Sequence, residues 1–202
     1  DVEERGKRHP RVLVVGRELG CVRVRLQRGG QVVLRLMIQA AEARDAAELA
    51  AFAERTFTET FGHLYPPEDL ASYVEAKYRT HVMQGELADP ESRYRLALRD
   101  GAIVGYCKMG IVDMAVDATD ALELHRLYVD SDVKGAGVAK TLMDEALAWA
   151  RGKGARVMFL SVWENNARAQ AFYKRYGFEH VGEHKFMVGR VADRDFIWRL
   201  AL

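Results

Sequence analysis

Polar and apolar residues alternate along the first patterned stretch of the chain. The alternation occupies residues 22–27, the pair Gly29-Gly30 follows, and an apolar run over residues 31–36 continues to residue 39. A period of two on both sides of a glycine pair is typical of an antiparallel β-hairpin. We therefore predict a hairpin here.

The pattern changes to a helical one after residue 40. Apolar residues then recur three or four positions apart, first at Ala46, Leu49, Ala50, Ala53 and Phe57 and later at Leu70, Tyr73, Val74 and Tyr78. This spacing predicts two amphipathic helices. The segment Gly62–Pro67, which ends in two prolines, separates them.

Predicted strands and helices alternate in the rest of the chain. The turn signal Asp100-Gly101 lies between predicted strands at 92–99 and 102–114. The elements expected after it are a strand at 121–130, a helix at 135–151, a strand at 156–163, a helix at 166–176, and strands at 178–189 and 194–201. The fold class that follows is α/β with a mixed sheet.

Composition narrows the class of protein further. Of the 202 residues, 49% are hydrophobic and 29% are charged, which is typical of a globular protein rather than collagen, a coiled coil or a disordered chain. The formal net charge of +1 gives no general attraction to nucleic acid or to an anionic membrane. We therefore expect neither as a partner.

The cysteines and the apolar runs indicate the cellular compartment in which the protein is expected. Cys21 and Cys107 do not form a CxxC pair, so we expect neither a disulfide framework nor a metal site. No apolar run approaches the ~20 residues that span a bilayer. A cytoplasmic protein is the expectation.

Arginine is concentrated at the start of the chain, where residues 1–36 contain eight arginines. We predict that these residues are an Arg-rich extension, which is either a β-hairpin or sequence upstream of the natural domain. The domain itself is predicted at residues 37–202. No function is assigned to the extension, because an arginine-rich strand is usually a solvated face.

A glycine-containing turn between a predicted strand and a predicted helix is the first candidate for chemistry. Gly135, Gly137 and Ala139 allow a close approach of ligand to backbone, and the free N–H groups of a helix start attract phosphate. The order of residues matches neither a P-loop nor GxGxxG. An ordinary tight connection remains the alternative at this point.

The helix predicted at 166–176 carries the second candidate. Asn166 can cap it, Ala169 and Tyr173 lie one turn apart on one face, and Gly177 can end it. A helical tyrosine is ordinarily a core residue. Its combination with the cap, the final glycine and the preceding turn is more specific.

Together these segments resemble the GCN5-related N-acetyltransferase (GNAT) superfamily over roughly residues 37–202. Within it, the bacterial spermidine/spermine N-acetyltransferases of the PaiA type are similar at Thr56-Phe57, Thr60-Phe61, Leu122–Val129, Val162-Trp163-Glu164, and Gly182-x-His184-x-Phe186. The resemblance implies a mixed, mostly antiparallel, twisted sheet flanked by helices. It also implies transfer of an acetyl group from acetyl-coenzyme A to a small-molecule primary amine, with polyamines favoured and a homodimer expected.

The resemblance assigns roles to residues of the two segments. The pattern Lys134-x-x-Gly137-x-Ala139 would bind the pyrophosphate of coenzyme A, and Tyr173 would protonate the thiolate as it leaves. The cofactor-binding residues implied are Leu127, Tyr128, Val129, Lys134, Gly135, Ala136, Gly137, Val138, Ala139, Lys140, Asn166, Ala169 and Tyr173. Candidates for the nucleotide phosphates are Lys140, Arg168, Lys174 and Arg175, although a solvated helix face is the favoured explanation for each.

The reaction also needs a base, because an alkylammonium with a pKa near ~10 must lose a proton before it attacks. Glu123 and His125 lie two apart on a strand and are expected on one face, with Leu124 and Arg126 facing away. Either is a candidate for the catalytic base. Cys107 is not expected to carry the acyl group, because nothing near it suggests a lowered thiol pKa.

The acceptor is expected beside the first two helices. His63, Tyr65 and Tyr128 are the candidates for substrate binding, since aromatic rings suit a cationic amine. Arg190 stands where the polyamine enzymes tend to be acidic, which disfavours a polyamine. The alternatives are acetylation of a protein N-terminus, an amino acid or an aminoglycoside, or a non-catalytic acyl-coenzyme-A-binding module.

Overall fold

A computed structural model describes the backbone of residues 11–18, 21–28 and 31–202, and the side chains from Leu36 onward. The strands are β1 (Arg11–Glu18), β2 (Cys21–Arg28), β3 (Gln31–Ala40), β4 (Ser92–Arg99), β5 (Ala102–Gly110), β6 (Ala121–Val129), β7 (Val157–Trp163), β8 (Glu179–Val188) and β9 (Val191–Ala201). The α-helices are α1 (Ala46–Phe61), α2 (Pro67–Lys77), α3 (Thr80–Ala88), α4 (Val138–Gly152) and α5 (Ala167–Lys174).

The nine strands described form one sheet in the order β1-β2-β3-β4-β5-β6-β7-β9-β8. Only β6 and β7 pair in parallel, and every other neighbouring pair is antiparallel. A mixed, mostly antiparallel sheet flanked by helices is therefore confirmed. The final strand lies between β7 and β8, so its residues have neighbours on both sides.

The predicted hairpin corresponds to β2 and β3, which pair from Val22↔Ile38 to Arg28↔Gln31. Its turn, Gly29-Gly30, lies outside the described residues. The sequence analysis did not predict β1, which pairs antiparallel with β2. Strand β3 crosses the boundary proposed between residues 36 and 37.

Several other elements differ from the prediction, among them β9, which begins at Val191 rather than at residue 194. Helix α3 was missed, because Gly85 and Gln84 interrupt its apolar residues and only Met83 is fully buried. Strand β5 ends at Gly110 rather than at residue 114. Helix α4 begins at Val138 because Gly137 has a φ of +86° and lies outside the helical region.

Two hydrophobic cores lie on opposite faces of the sheet. One packs α4 and α5 against the sheet and contains Leu142, Met158 and Trp198. The other packs α1, α2 and α3 against the opposite face and contains Phe57 and Tyr106. In the part of the chain that the structure describes, no helix is long and apolar enough to cross a membrane.

A cluster of charged side chains is buried under α3. Glu86 accepts hydrogen bonds from Arg126 Nη1 at 2.8 Å and from Lys108 Nζ at 2.9 Å, and it also accepts one from the Tyr94 hydroxyl. Burial raises the pKa of Glu86, but Arg126, Tyr94 and Lys108 more than offset this and lower it to about 2. Glu86 is therefore a carboxylate that balances two partly buried cations.

Candidate active site

The site lies where β6 and β7 diverge. These strands pair over only three residues, from Ala121↔Val157 to Glu123↔Phe159. Beyond this point β6 has no strand partner on that side among the described residues. Its backbone groups from Leu124 onward are therefore available to a ligand that enters the gap.

A β-bulge on β6 lies next to this divergence. Lys108 pairs with Arg126 and Met109 pairs with Leu124, so His125 has no partner in β5. The extra residue changes which side chains share a face. Leu124 belongs to the core under α4, whereas Arg126 contacts Tyr94 on the opposite face. The prediction that Leu124 and Arg126 share a face is therefore wrong.

The turn before α4 leads into a row of free backbone donors. Gly135 and Gly137 have positive φ angles of +83° and +86°, a conformation that favours glycine. The first N–H in α4 to bond within the helix is that of Thr141, to Gly137 O at 3.0 Å. In the preceding turn, the N–H groups of Lys134 and Ala136 bond to Ser131 O and Val133 O. The donors that suit a phosphate are therefore those of the first turn of α4, where the positive end of the helix dipole also lies.

Helix α5 begins at its predicted cap. Asn166 Oδ1 accepts a hydrogen bond from the backbone N–H of Ala169 at 3.1 Å. Two turns along the helix, Tyr173 is 8% exposed and lies in the core near Cys107. Burial, and then the neighbouring Cys107, raise the pKa of the Tyr173 phenol. The phenol is protonated at neutral pH and can act as a proton donor.

A cavity of about 950 Å³ joins these features. Every residue predicted to bind the cofactor lines it except Ala136, which packs against the core instead. Of the residues predicted for the substrate, Tyr65 and Tyr128 line the cavity. His63 does not: it is exposed in a short 3-10 helix over Gly62–Leu64.

The four basic candidates for the nucleotide phosphates separate into two groups. Lys140, Arg168 and Arg175 line the cavity, and Lys140 also forms an ion pair with Asp144 at 2.6 Å. Lys174 does not line it, because its ammonium lies 5.5 Å from the centre of the Trp198 ring.

Glu123 and His125 share a face, as predicted, but they differ in access to the cavity. His125 lines it and Glu123 does not. Glu123 Oε2 accepts the backbone N–H of Asp113 at 2.9 Å, and Oε1 lies 3.2 Å from His125 Nδ1. His125 Nε2 packs over Gly110, where a β-carbon would lie 3.2 Å from it. Both ring nitrogens thus face protein groups.

The structure adds two carboxylates that the sequence analysis missed. Asp193 and Asp195 lie on the same face of β9, and both line the cavity. The Tyr65 hydroxyl donates a hydrogen bond to Asp193 Oδ2, and the Ser161 hydroxyl donates one to Asp195. Asp195 is 8% exposed. Burial raises its pKa, Ser161 lowers it, and the charge of Asp193 raises it again, to about 6.

Aromatic side chains form the wall around these carboxylates. They are Phe57, Phe61, Tyr65, Tyr73, Trp163 and Phe186. The Phe57 and Tyr73 rings stack with centroids 4.8 Å apart, and Phe61 meets Trp163 edge to face at 6.1 Å. Carboxylates within an aromatic enclosure are a favourable environment for a cation.

Arg190 does not line the cavity, and its side chain is exposed. Its Nε donates to Asp69 Oδ1 at 3.0 Å, and its guanidinium also pairs with Glu68. Arg190 is therefore neutralised by α2 and does not present an unbalanced charge to the cavity.

Cys107 is unsuited to carry an acyl group. It is fully buried, and burial raises the pKa of its thiol to about 12. The thiol is protonated at neutral pH and is a poor nucleophile.

Comparison with known proteins agrees with this geometry. Residues 46–178 match the acetyltransferase (GNAT) family. A protein of Mycobacterium tuberculosis (strain ATCC 25618 / H37Rv), named as an uncharacterized N-acetyltransferase, is 37% identical over 153 residues, which cover 76% of this chain and 95% of that protein. Another from Lactobacillus delbrueckii subsp. lactis is 32% identical over 168 residues, which cover 82% of this chain and 96% of that protein.

The fold has a solved counterpart with ligand. The crystal structure of the PaiA N-acetyltransferase from Thermoplasma acidophilum in complex with coenzyme A aligns with a TM-score of 0.68 and 22% identity, covering 83% of this chain and 99% of that chain. The open gap between β6 and β7 and the free backbone donors at the start of α4 are features that fit such a ligand. The chain belongs to the acetyltransferase (GNAT) family and is an acetyl-coenzyme-A-dependent N-acetyltransferase.

Proposed function

We infer that the protein acetylates a primary amine of a small, positively charged molecule, and that polyamines such as spermidine and spermine are the favoured class. The observation that carries this proposal is the pair Asp193 and Asp195 inside an aromatic cavity. A polyamine has ammonium groups separated by methylene chains. Its charges match the carboxylates and its chains match the rings.

The proposal assigns the chemistry to a complex that contains both substrates. The turn Lys134–Lys140 binds the pyrophosphate of coenzyme A through backbone N–H groups, and the cap at Asn166 shapes the α5 side of the gap. The amine attacks the thioester directly. The Tyr173 hydroxyl, which its raised pKa keeps protonated at neutral pH, donates a proton to the departing sulfur.

Other acceptors use the same chemistry and differ in charge and size. The carboxylate of a free amino acid would be repelled by Asp193 and Asp195, which disfavours that class. An aminoglycoside has several ammonium groups and can therefore match both carboxylates. A peptide N-terminus has a single ammonium group and can match only one of them. A non-catalytic acyl-coenzyme-A-binding module has no need of a proton donor at Tyr173.

The test is thiol release from acetyl-coenzyme A with a panel of amines at equal concentration. The panel contains spermidine, spermine, butylamine, an aminoglycoside, an amino acid and a tripeptide with a free N-terminus. We expect kcat/KM to be highest for the polyamines, at least about 10-fold above butylamine, which corresponds to ~1.4 kcal/mol. A preference for the tripeptide or the amino acid would contradict the polyamine assignment.

A variant that removes one carboxylate tests whether the preference for polyamines depends on its charge. Asp193→Asn is expected to raise KM for the polyamines more than for butylamine, because only the polyamines have a second ammonium group to lose its partner. Glu183→Gln is the matched control: Glu183 is exposed on β8 and lies 3.6 Å from Arg194 outside the cavity. It is expected to leave the preference among amines unchanged.

A further inference from the structure

Resting on the proposed function, we propose that Asp195, rather than His125 or Glu123, is the base that removes the proton from the acceptor amine. Asp195 is in the cavity that Tyr173 and the phosphate-binding turn also line. Asp195 is almost fully buried, and within the part of the chain that the structure describes its carboxylate is held by the Ser161 hydroxyl rather than by an arginine or lysine. A carboxylate without a cationic partner, inside a cavity for a cation, is available to the ammonium itself.

Among the described residues, no lysine or arginine side chain forms an ion pair with Asp195. Asp193 faces it from the same strand, and His184 is its direct partner across β8. On the β7 side lie Ser161 and Trp163, which is the partner of Asp195 in that strand pair. The phenols of Tyr65 and Tyr73 interact with it electrostatically from the helical side.

The same surroundings bring the pKa of Asp195 into a range that suits a base near neutral pH. Burial and the charge of Asp193 raise its pKa to about 6, despite the hydrogen bond from Ser161. Such a carboxylate is mostly ionised at pH 7 but accepts a proton more readily than an exposed aspartate. The approach of a substrate ammonium stabilises the carboxylate before the proton moves.

The geometry of Glu123 and His125 is less suitable for removing a proton from the amine. Glu123 does not line the cavity, and its two oxygens face Asp113 N and His125 Nδ1. The remaining ring nitrogen of His125 packs over Gly110. These contacts make Glu123 and His125 a pair that fixes the β6 bulge beside the reacting group.

The proton balance of the reaction is complete with these residues. One proton of the R–NH3+ group passes to Asp195, and the nitrogen lone pair forms the bond to the thioester carbonyl carbon. The carbon–sulfur bond breaks with its electron pair on sulfur, which receives a proton from Tyr173. The second nitrogen proton restores Tyr173 as the amide forms, and Asp195 releases its proton to water.

The test is the pH dependence of kcat/KM for spermidine in four variants. The wild type should show an acidic limb near pH 6, and Asp195→Asn should lose that limb together with activity on the order of 10²-fold at pH 7. The deficit should shrink as pH rises towards the pKa of the amine, because solution then supplies the neutral amine. Glu183→Gln, which removes a carboxylate outside the cavity, should retain the wild-type profile.

The neighbouring Asp193 provides a second test, a shift of the pH profile that a merely structural role of Asp195 would not produce. Asp193→Asn removes a charge that raises the pKa of Asp195, so the acidic limb should move to lower pH. An acidic limb that persists unchanged in Asp195→Asn, and disappears in His125→Gln, would overturn the proposal in favour of His125.

A measurement without turnover separates this inference from the proposed function. In carbon-13 NMR of the unliganded protein, a side-chain carboxyl should titrate near pH 6 in the wild type and be missing in Asp195→Asn. The absence of that titration would overturn the role of Asp195 even if polyamines are acetylated. Failure of the wild type to acetylate any amine in the panel would instead overturn the proposed function.

Discussion

Gly189 lies directly against the buried carboxylate of Asp69. A β-carbon built on Gly189 would lie 2.3 Å from Asp69 Oδ1, and the φ angle of Gly189 is +57°. The next residue, Arg190, donates both its backbone N–H and its Nε to the same oxygen at 3.0 Å. These contacts join the turn between β8 and β9 to the first turn of α2.

Gly189→Ala should therefore destabilise the protein by more than ~2 kcal/mol, through the steric conflict in addition to the strain of a positive φ. It should also raise KM for the amine more than KM for acetyl-coenzyme A. Urea unfolding and steady-state kinetics measure the two effects. Gly101→Ala is the control, because its φ is +87° but no atom lies within 4 Å of the added carbon. Equal losses in the two variants would contradict the role of the Asp69 contact.

Tyr173→Phe retains the buried ring and removes only the hydroxyl. We expect kcat to fall on the order of 10²-fold while the affinity for acetyl-coenzyme A and the melting temperature change little. Single-turnover kinetics and calorimetric binding provide the measurements. Tyr176→Phe is the control, since Tyr176 bonds to Asp144 and to the Lys140 carbonyl and does not line the cavity. An unchanged rate of the chemical step in Tyr173→Phe would return Tyr173 to a packing role.

Ala139→Glu tests the phosphate-binding turn. A carboxylate at the second position of α4 suits the helix dipole, so the fold should remain stable, but it occupies the place of a phosphate and repels it. We expect the stabilisation by acetyl-coenzyme A, about 2.7 kcal/mol at 100 times Kd in the wild type, to be largely lost. Thermal unfolding with and without ligand measures this.

The control for that prediction is Ala47→Glu. Ala47 is the second residue of α1, is exposed and does not line the cavity. Ala47→Glu places the same charge at the same helical position, and acetyl-coenzyme A should still raise the melting temperature of this variant as in the wild type. Equal stabilisation of Ala139→Glu and Ala47→Glu by ligand would place the pyrophosphate elsewhere.

Glu86→Gln leaves Arg126 and Lys108 partly buried without their carboxylate. Breaking a buried ion pair by removal of one partner costs about 3–5 kcal/mol, and we expect a loss of this size at pH 7. Because the folded-state pKa of Glu86, about 2, lies below its ordinary value of 4.5, the contribution is fully present above pH 4.5. The difference between wild type and variant should shrink as pH falls from 4.5 towards 2.

Urea unfolding at several pH values measures that difference. Glu75→Gln is the comparison, since Glu75 is exposed on α2 and pairs with Arg79. An exposed ion pair is screened by solvent and contributes little to stability, so this variant should remain close to the wild type. A similar small effect for Glu86→Gln would mean that water already solvates Arg126 and Lys108.

Local patterns were sufficient for the elements that carry the cofactor side of the site. The apolar spacing of α4 is regular, Gly135 and Gly137 mark the turn before it, and Asn166 marks the start of α5 with a side chain that acts locally. These signals depend on neighbours along the chain. The structure therefore places the predicted turn and Tyr173 in one cavity.

The acceptor side depends on pairing between distant strands, which a single sequence does not reveal. The alternation of Glu123 to Arg126 looks regular, and only the register against β5 shows the bulge at His125. Asp193 and Asp195 alternate with Ala192 and Arg194 like a solvated strand face. They are enclosed because β9 inserts beside β7 and because Tyr65 covers them. A pair of acids followed directly by the apolar run after residue 195 was the one available signal.

The divergence of β6 and β7 makes the active site a passage through the sheet rather than a depression on it. Its two mouths are built by different parts of the chain: α4, α5 and the turn before α4 surround one, and α1, α2, β8 and β9 surround the other. The proposed function places the reacting atoms of the two substrates between these mouths. Because different elements build the two mouths, substitutions at the acceptor mouth can change which amine is bound without changing the residues that bind acetyl-coenzyme A.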